Sequence, residues 1–130
     1  MSKFNQEYRD MEENPLIAKV LDFSIRIVNL YKCLRDERHE TVMSKQILRS
    51  GTSIGANASE AIAAESVDDF VHKLTISLKE ANETKYWILL LHRTQFIKEE
   101  EFKSVIKDCQ ELLKMIGSII SSTKRNRDKK

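Results

Sequence analysis

The chain has 130 residues, of which only 3 are glycine and 1 is proline, against 41% hydrophobic and 32% charged. That length suits one domain, and sheets or loop-built catalytic sites need more turn residues than this, so all-β and α/β folds are excluded. Net charge is +2, from 22 Lys+Arg and 20 Asp+Glu, so the molecule as a whole is no polycation.

Residues 1–13 are polar and aperiodic. They are expected to form a flexible arm, and they lack the apolar h-region of a secretion signal. Asn14-Pro15 places a capping residue before a proline at the first helical position and opens the first helix. Ile17, Val20, Leu21, Ser24, Ile27, Val28 and Tyr31 follow the three-and-four spacing of one helical face, widened by Leu16, Phe23, Leu30 and Leu34. The charged segment Arg35–Glu40 is expected to be a solvent-exposed turn.

A second helix is predicted from Thr41 to Ala64, with Met43, Ile47, Gly51, Ile54, Ala58 and Ala61 inside. Ser66 before Val67-Asp68-Asp69 starts a third, because a hydroxyl cap and first-turn carboxylates suit the free N–H groups and the helix dipole. Its inner stripe is Val67, Phe70, Val71, Leu74, Leu78, Ala81 and Ile88. In the fourth, Phe102, Val105, Cys109, Leu112, Ile116, Ile119 and Thr123 alternate steps of three and four over three heptads, which is a bundle seam. Helices of about 23–29 residues joined by short connections predict an all-α, antiparallel up-down-up-down four-helix bundle over residues 14–123.

Residues 124–130 hold five bases and one acid, leaving the rest of the chain at −2. This basic tail either tethers an anionic partner such as RNA or is merely solvated. Cys33 and Cys109 are far apart among apolar residues, which favours buried free thiols in a reducing cytoplasm. The longest apolar run, Trp87–Leu91, is too short to span a bilayer.

Two helices carry a second face. On the third it is Ile76, Glu80, Glu83, Trp87, Leu90 and Leu91; on the second, Arg49, Ser53, Ala56, Asn57, Glu60, Ala63 and Ala64. A monomeric bundle would leave both outside, where apolar and small residues mark an interface. If the faces meet, within or between subunits, Arg49 pairs with Glu80 or Glu83, with Asn57 and Glu60 completing a network that fixes register more than it stabilises.

Carboxylate-bridged metal bundles need Glu-x-x-His on two helices, and Asp69-Phe70-Val71-His72 is a single approximate match. His72 reads as an exposed helical residue, His92 as a bundle-end histidine and Lys85 as a snorkelling side chain. Ser50–Gly55 lacks the order of a phosphate-binding loop and follows no strand. Its hydroxyls have no activating His/Asp pair. The expectation is therefore no enzyme, no catalytic residue, no metal and no cofactor.

The stretch Arg49–Ala61, Arg-Ser-Gly-Thr-Ser-Ile-Gly-Ala-Asn-Ala-Ser-Glu-Ala, resembles the signature of the bacterial four-helix bundle proteins encoded in rRNA intervening sequences. Phe70–Thr84 looks like the second block of that family. The resemblance implies a bundle that assembles into a ring, a homopentamer in family members of known structure. It also implies relatives among the accessory proteins of diversity-generating retroelements, which bind nucleic acid and a reverse transcriptase. Carried over by position, Arg49, Ser53, Asn57, Glu60, Glu80 and Glu83 form the shared polar set, and Trp87 lies on the same face. The chain departs from the pattern at Ser59, where an aliphatic residue is usual, and at Ala63-Ala64-Glu65, which weakens an RNA-binding reading of the turn between the second and third helices.

The expected function is a non-enzymatic, cytoplasmic homo-oligomer that binds RNA or a ribonucleoprotein or reverse-transcriptase partner, and neither a membrane nor a small-molecule substrate. The basic contacts would be Lys124, Arg125, Arg127, Lys129 and Lys130, with Lys45, Arg49 and Lys73 as weaker candidates. The alternative is a purely structural or protein-interaction module.

Overall fold

The computed structural model describes residues 3, 6, 9 and 13–129. The expected N-terminal arm thus lies mostly outside the described residues; Lys3, Gln6, Arg9 and Glu13 have helical backbone and exposed side chains. Four long helices follow: α1 (Pro15–Asp36), α2 (Met43–Ile62), α3 (Val67–Arg93) and α4 (Glu99–Asp128). Each packs on the next in sequence, and α4 returns against α1 through a thinner interface.

Cross-helix partners fix the orientation. Gly51 and Gly55 of α2 face Ile27 and Ser24 of α1, while Ile54 and Ser50 face Ser77 and Thr84 of α3. Ala81 and Asp68 of α3 meet Cys109 and Arg127 of α4, and Lys19 and Arg26 of α1 meet Glu111 and Asp108 of α4. In every pair the numbers rise on one helix as they fall on the other. The bundle is antiparallel and up-down-up-down.

Local signals explain the helix starts. The Asn14 side chain accepts from the N–H groups of Leu16 and Ile17 at 2.9 and 3.2 Å, and Ser66 from Asp69 N–H at 3.0 Å. The start of α2 differs from expectation. Helix geometry begins at Met43, and the Glu40 carboxylate accepts from Val42, Met43 and Ser44 N–H at 3.1, 3.0 and 2.6 Å. Glu40 is only 7% exposed. Burial pushes its carboxyl upward, but the bonds from Met43, Ser44 and Val42 outweigh that, and its pKa lies below the ordinary carboxylate value. The Arg35–Glu40 connection is therefore not a bare solvent-exposed turn. Arg38 reaches across the bundle end to the Phe96 carbonyl at 2.6 Å and Glu101 at 2.8 Å.

The core is the expected one with exchanges at its edges. Ile17, Val20, Phe23, Ile27, Leu30 and Leu34 of α1 are buried against Ile47, Ile54, Leu74, Ile88, Val105, Leu112 and Ile116. Leu21 and Val67, assigned to inner stripes, are 51% and 50% exposed: at 100° per residue Leu21 stands well off the face of Val20, Phe23, Ile27 and Leu34, and Val67 is the first residue of α3, at the end of the bundle. Leu91, assigned to the outer face, is fully buried, and Ile120 lies inside where Ile119 was expected. Small hydroxyls complete the α2–α3 contact: Ser77 donates to the Ile54 carbonyl at 2.7 Å, and the Thr84 and Ser50 hydroxyls bond at 2.9 Å.

At the far end, α4 does not release a loose tail after Thr123. It continues to Asp128, where Arg127 donates to Asp68 at 2.7 Å. Nothing after Thr123 breaks a helix, cations suit its C-terminus, and the acidic first turn of α3 receives one of them. Lys130 lies outside the described residues.

Candidate functional site

The second faces of α2 and α3 meet within one subunit. Arg49 donates to Glu83 and, at 3.4 Å, to Glu80, and the Trp87 indole N–H donates to Glu83 at 3.2 Å. The cation on α2 thus joins two carboxylates three apart on α3, and Trp87, four further on, binds the second of them; that spacing puts Glu80, Glu83 and Trp87 on one face. Glu83 and Glu80 together hold the Arg49 guanidinium above its ordinary pKa, with the Glu83 bond the larger cause. Arg49 keeps 51% of its side chain exposed and Glu83 39%, so this is a surface network.

Asn57 and Glu60 do not complete it. Asn57 donates to the Ser53 carbonyl of its own helix at 2.9 Å, Ser53 donates to the Arg49 carbonyl at 2.7 Å, and Glu60 pairs with Lys73 at 3.0 Å. Two of the weaker basic candidates, Arg49 and Lys73, are thus already bound to carboxylates. Most of the remaining signature is packing: Gly51 and Gly55 admit α1, and Ile54, Ala58 and Ala61 are core.

No group of three or more His, Cys, Asp or Glu side chains among the described residues could hold a metal. His72 is exposed. His92 stacks on Phe102, centroids 3.9 Å apart and planes 8° from parallel, and bonds Glu99 at 2.6 Å. Cys33 and Cys109 are both free, but only Cys109 is buried. Burial pushes the Cys109 thiol up to about 12, and a bond to Glu37, 3.1 Å away, raises that of the half-buried Cys33. Neither is a poised nucleophile. No helix of the described residues is long and apolar enough to cross a membrane.

The basic set has a different character. Lys124 and Arg125 of α4 and its C-cap residue Lys129 are exposed and make no ion pair among the described residues, whereas Arg127 is held by Asp68 and Asp128. Lys107 and Lys114, which sequence reading passed over, are also exposed and unpaired there. For Lys114 one signal was available: from Leu112 to Arg127 the chain has four bases and no acid. The other was not, because only the fold shows Asp108 and Glu111 turned to Arg26 at 2.6 Å and Lys19 at 3.1 Å on α1.

The family model of the 23S rRNA-intervening sequence protein matches residues 12–118. Among solved structures, a 1.70 Å crystal structure of a protein with unknown function from the S23 ribosomal protein family of Bacteroides thetaiotaomicron VPI-5482 is similar, with 57% identity and a TM-score of 0.80. The match covers 81% of this chain and 97% of that one. No curated protein matches.

Proposed function

Since the chain belongs to the 23S rRNA-intervening sequence protein family, we propose that it works without catalysis, as a helical bundle that assembles with copies of itself and binds RNA or a ribonucleoprotein. The observation that carries the RNA reading is the end of α4, where Lys124, Arg125 and Lys129 stand exposed without a carboxylate partner among the described residues. Unpaired cations on a rigid helix neutralise phosphates and release counterions, the main source of affinity for nucleic acid. Arg127 adds charge to the same end after exchanging Asp68 for phosphate, and Lys130 follows in the sequence.

Self-association is supported by large apolar side chains left outside the bundle. Leu21 and Ile25 on α1 are 51% and 52% exposed, and Tyr86 and Leu89 on α3 are 56% and 37% exposed. The polar set Arg49, Ser53, Asn57, Glu60, Glu80, Glu83 and Trp87, none of it fully buried, would form the rim of such an interface. A ring of five copies is the assembly that the resemblance favours, and a reverse transcriptase is one ribonucleoprotein partner it suggests.

Two measurements test the reading. Light scattering on the full chain should give a defined oligomer that Leu21→Glu or Leu89→Glu breaks into smaller species. RNA affinity should fall about 10³-fold or more between about 50 and 200 mM salt if some six phosphates are engaged, and should drop further in Lys124→Glu/Arg125→Glu/Lys129→Glu. A stable oligomer with no affinity for any RNA would overturn the RNA reading and select the structural module.

A further inference from the structure

We propose that the outer ridge of α4 is a docking surface for double-stranded RNA, gripped through its phosphates and 2′-hydroxyls rather than its bases. This deepens the RNA-binding reading above and rests on it. At 100° per residue, Lys103, Lys107, Lys114, Ser118, Ser121 and Arg125 fall within about 60° of one another. That sector lies opposite the buried seam of Val105, Cys109, Leu112 and Ile116. All six ridge residues are exposed.

The ridge is positive because the fold separates charges that the sequence mixes. Residues 103–129 hold seven bases and three acids. All three acids are occupied: Asp108 by Arg26, Glu111 by Lys19 and Asp128 by Arg127. Lys107, Lys114 and Arg125 face solvent with no carboxylate bound among the described residues, and Lys103 only brushes Glu99 at 4.0 Å. The acids of the first turn, Glu99 to Glu101, mark where the positive surface ends. From Lys107 to Arg125 it runs roughly 27 Å at 1.5 Å per residue, a straight cationic edge.

The side chains select the form of the RNA. Single strands are held by stacking on exposed aromatic rings, and the ridge has none; the one aromatic of α4, Phe102, lies under His92. Duplex RNA has a deep, narrow major groove and a shallow minor groove that displays 2′-hydroxyls, so it is gripped by shape and backbone. Ser118 and Ser121 lie between the lysines and Arg125 as short donor–acceptor groups suited to 2′-hydroxyls. The same hydroxyls would separate RNA from DNA duplexes.

The test uses the full chain with a labelled RNA duplex of roughly 16 base pairs, one of its strands alone, and the DNA duplex of the same sequence, read by fluorescence anisotropy across salt. The expected order is RNA duplex tightest. Lys107→Glu/Lys114→Glu should weaken it at least tenfold and reduce the salt slope by about two, while Ser118→Ala/Ser121→Ala should erase the preference for RNA over DNA. Lys107→Gln/Lys114→Gln, with a smaller loss in the same direction, serves if the charge reversal does not fold. Duplex affinity that survives the ridge variants but is lost with Lys124, Arg125 and Lys129 overturns the ridge and leaves the RNA reading standing. So does tighter binding of the single strand, or a ridge variant that changes oligomer size and not RNA affinity. Failure to bind any RNA overturns both.

Discussion

Gly51 lies so close to Ile27 that a β-carbon added to it would stand 2.7 Å from Ile27 Cγ2, 2.9 Å from Cγ1 and 3.2 Å from Cβ. The contact is with the branch point of a β-branched side chain on a neighbouring helix, which has no other rotamer to take without leaving the core. Helix α2 approaches α1 at a distance only glycine permits.

Three glycines within helices therefore predict three different outcomes on substitution by alanine. Gly51→Ala should destabilise by about 1–3 kcal/mol, the overpacking cost exceeding the gain in helix propensity. At Gly55 the new methyl meets Ser24 Oγ at 3.1 Å, a lighter contact, and the two effects should nearly cancel. Gly117 has nothing within 4 Å, so alanine there should stabilise by about 0.5–1 kcal/mol. Urea unfolding of the three variants checks the order, and equal effects at Gly51 and Gly117 would contradict the packing account.

Glu40 should matter to stability far more than its place in a charged turn suggests. Glu40→Ala removes a carboxylate that holds three N–H groups and should cost about 1–2 kcal/mol. The pH dependence follows from the depressed pKa. The unfolded chain takes up the proton first, so the stabilisation is complete above the ordinary value of 4.5 and is lost as pH falls through the lower folded value. Melting temperature against pH should thus fall less steeply on the acid side in Glu40→Gln than in the parent.

The Arg49 network should be optically visible and energetically small. Half of Arg49 is exposed, so Arg49→Ala should cost less than about 1 kcal/mol of subunit stability. Trp87 is the one tryptophan of the chain, and its indole N–H bonds Glu83, not Glu80. Its emission should shift in Glu83→Leu and stay unchanged in Glu80→Leu.

The two thiols should separate cleanly in alkylation. Cys109 is fully buried with its thiol pushed up to about 12, so native protein at neutral pH should be modified at Cys33 first and at Cys109 only on unfolding. Mass spectrometry after a timed iodoacetamide pulse reads both sites, and early labelling of Cys109 would mean that α3 and α4 part readily.

How much of this was legible beforehand depends on which interaction sets each position. Helix existence, order and most of the core follow from apolar spacing, and α1 and α3 begin where Asn14 and Ser66 said they should. Spacing put Arg49 within reach of Glu80 or Glu83 if the two faces met, but not whether they meet within one subunit, where Arg49 binds both. Ser50, Ser77 and Thr84 were invisible as core because hydropathy counts them polar, whereas a helix lets short hydroxyls find partners inside. Glu40 escaped because a cap reaching from outside the helix has no periodic signature. The basic end shows in composition, and its continuation as helix in the absence of any breaker after Thr123; the ridge behind it needed the knowledge that α1 engages Asp108 and Glu111.

That last arrangement makes the surface of one helix a property of two. Exchange Arg26 for a neutral residue, and Asp108 is left uncompensated, so α4 becomes more acidic with none of its own residues altered. Reversing both partners, Arg26→Asp with Asp108→Arg, keeps the sum while moving the positive charge outward onto α4. Positions 26 and 108, and likewise 19 and 111, are thus constrained jointly, and a substitution on α1 can change the charge of an α4 surface that it never touches.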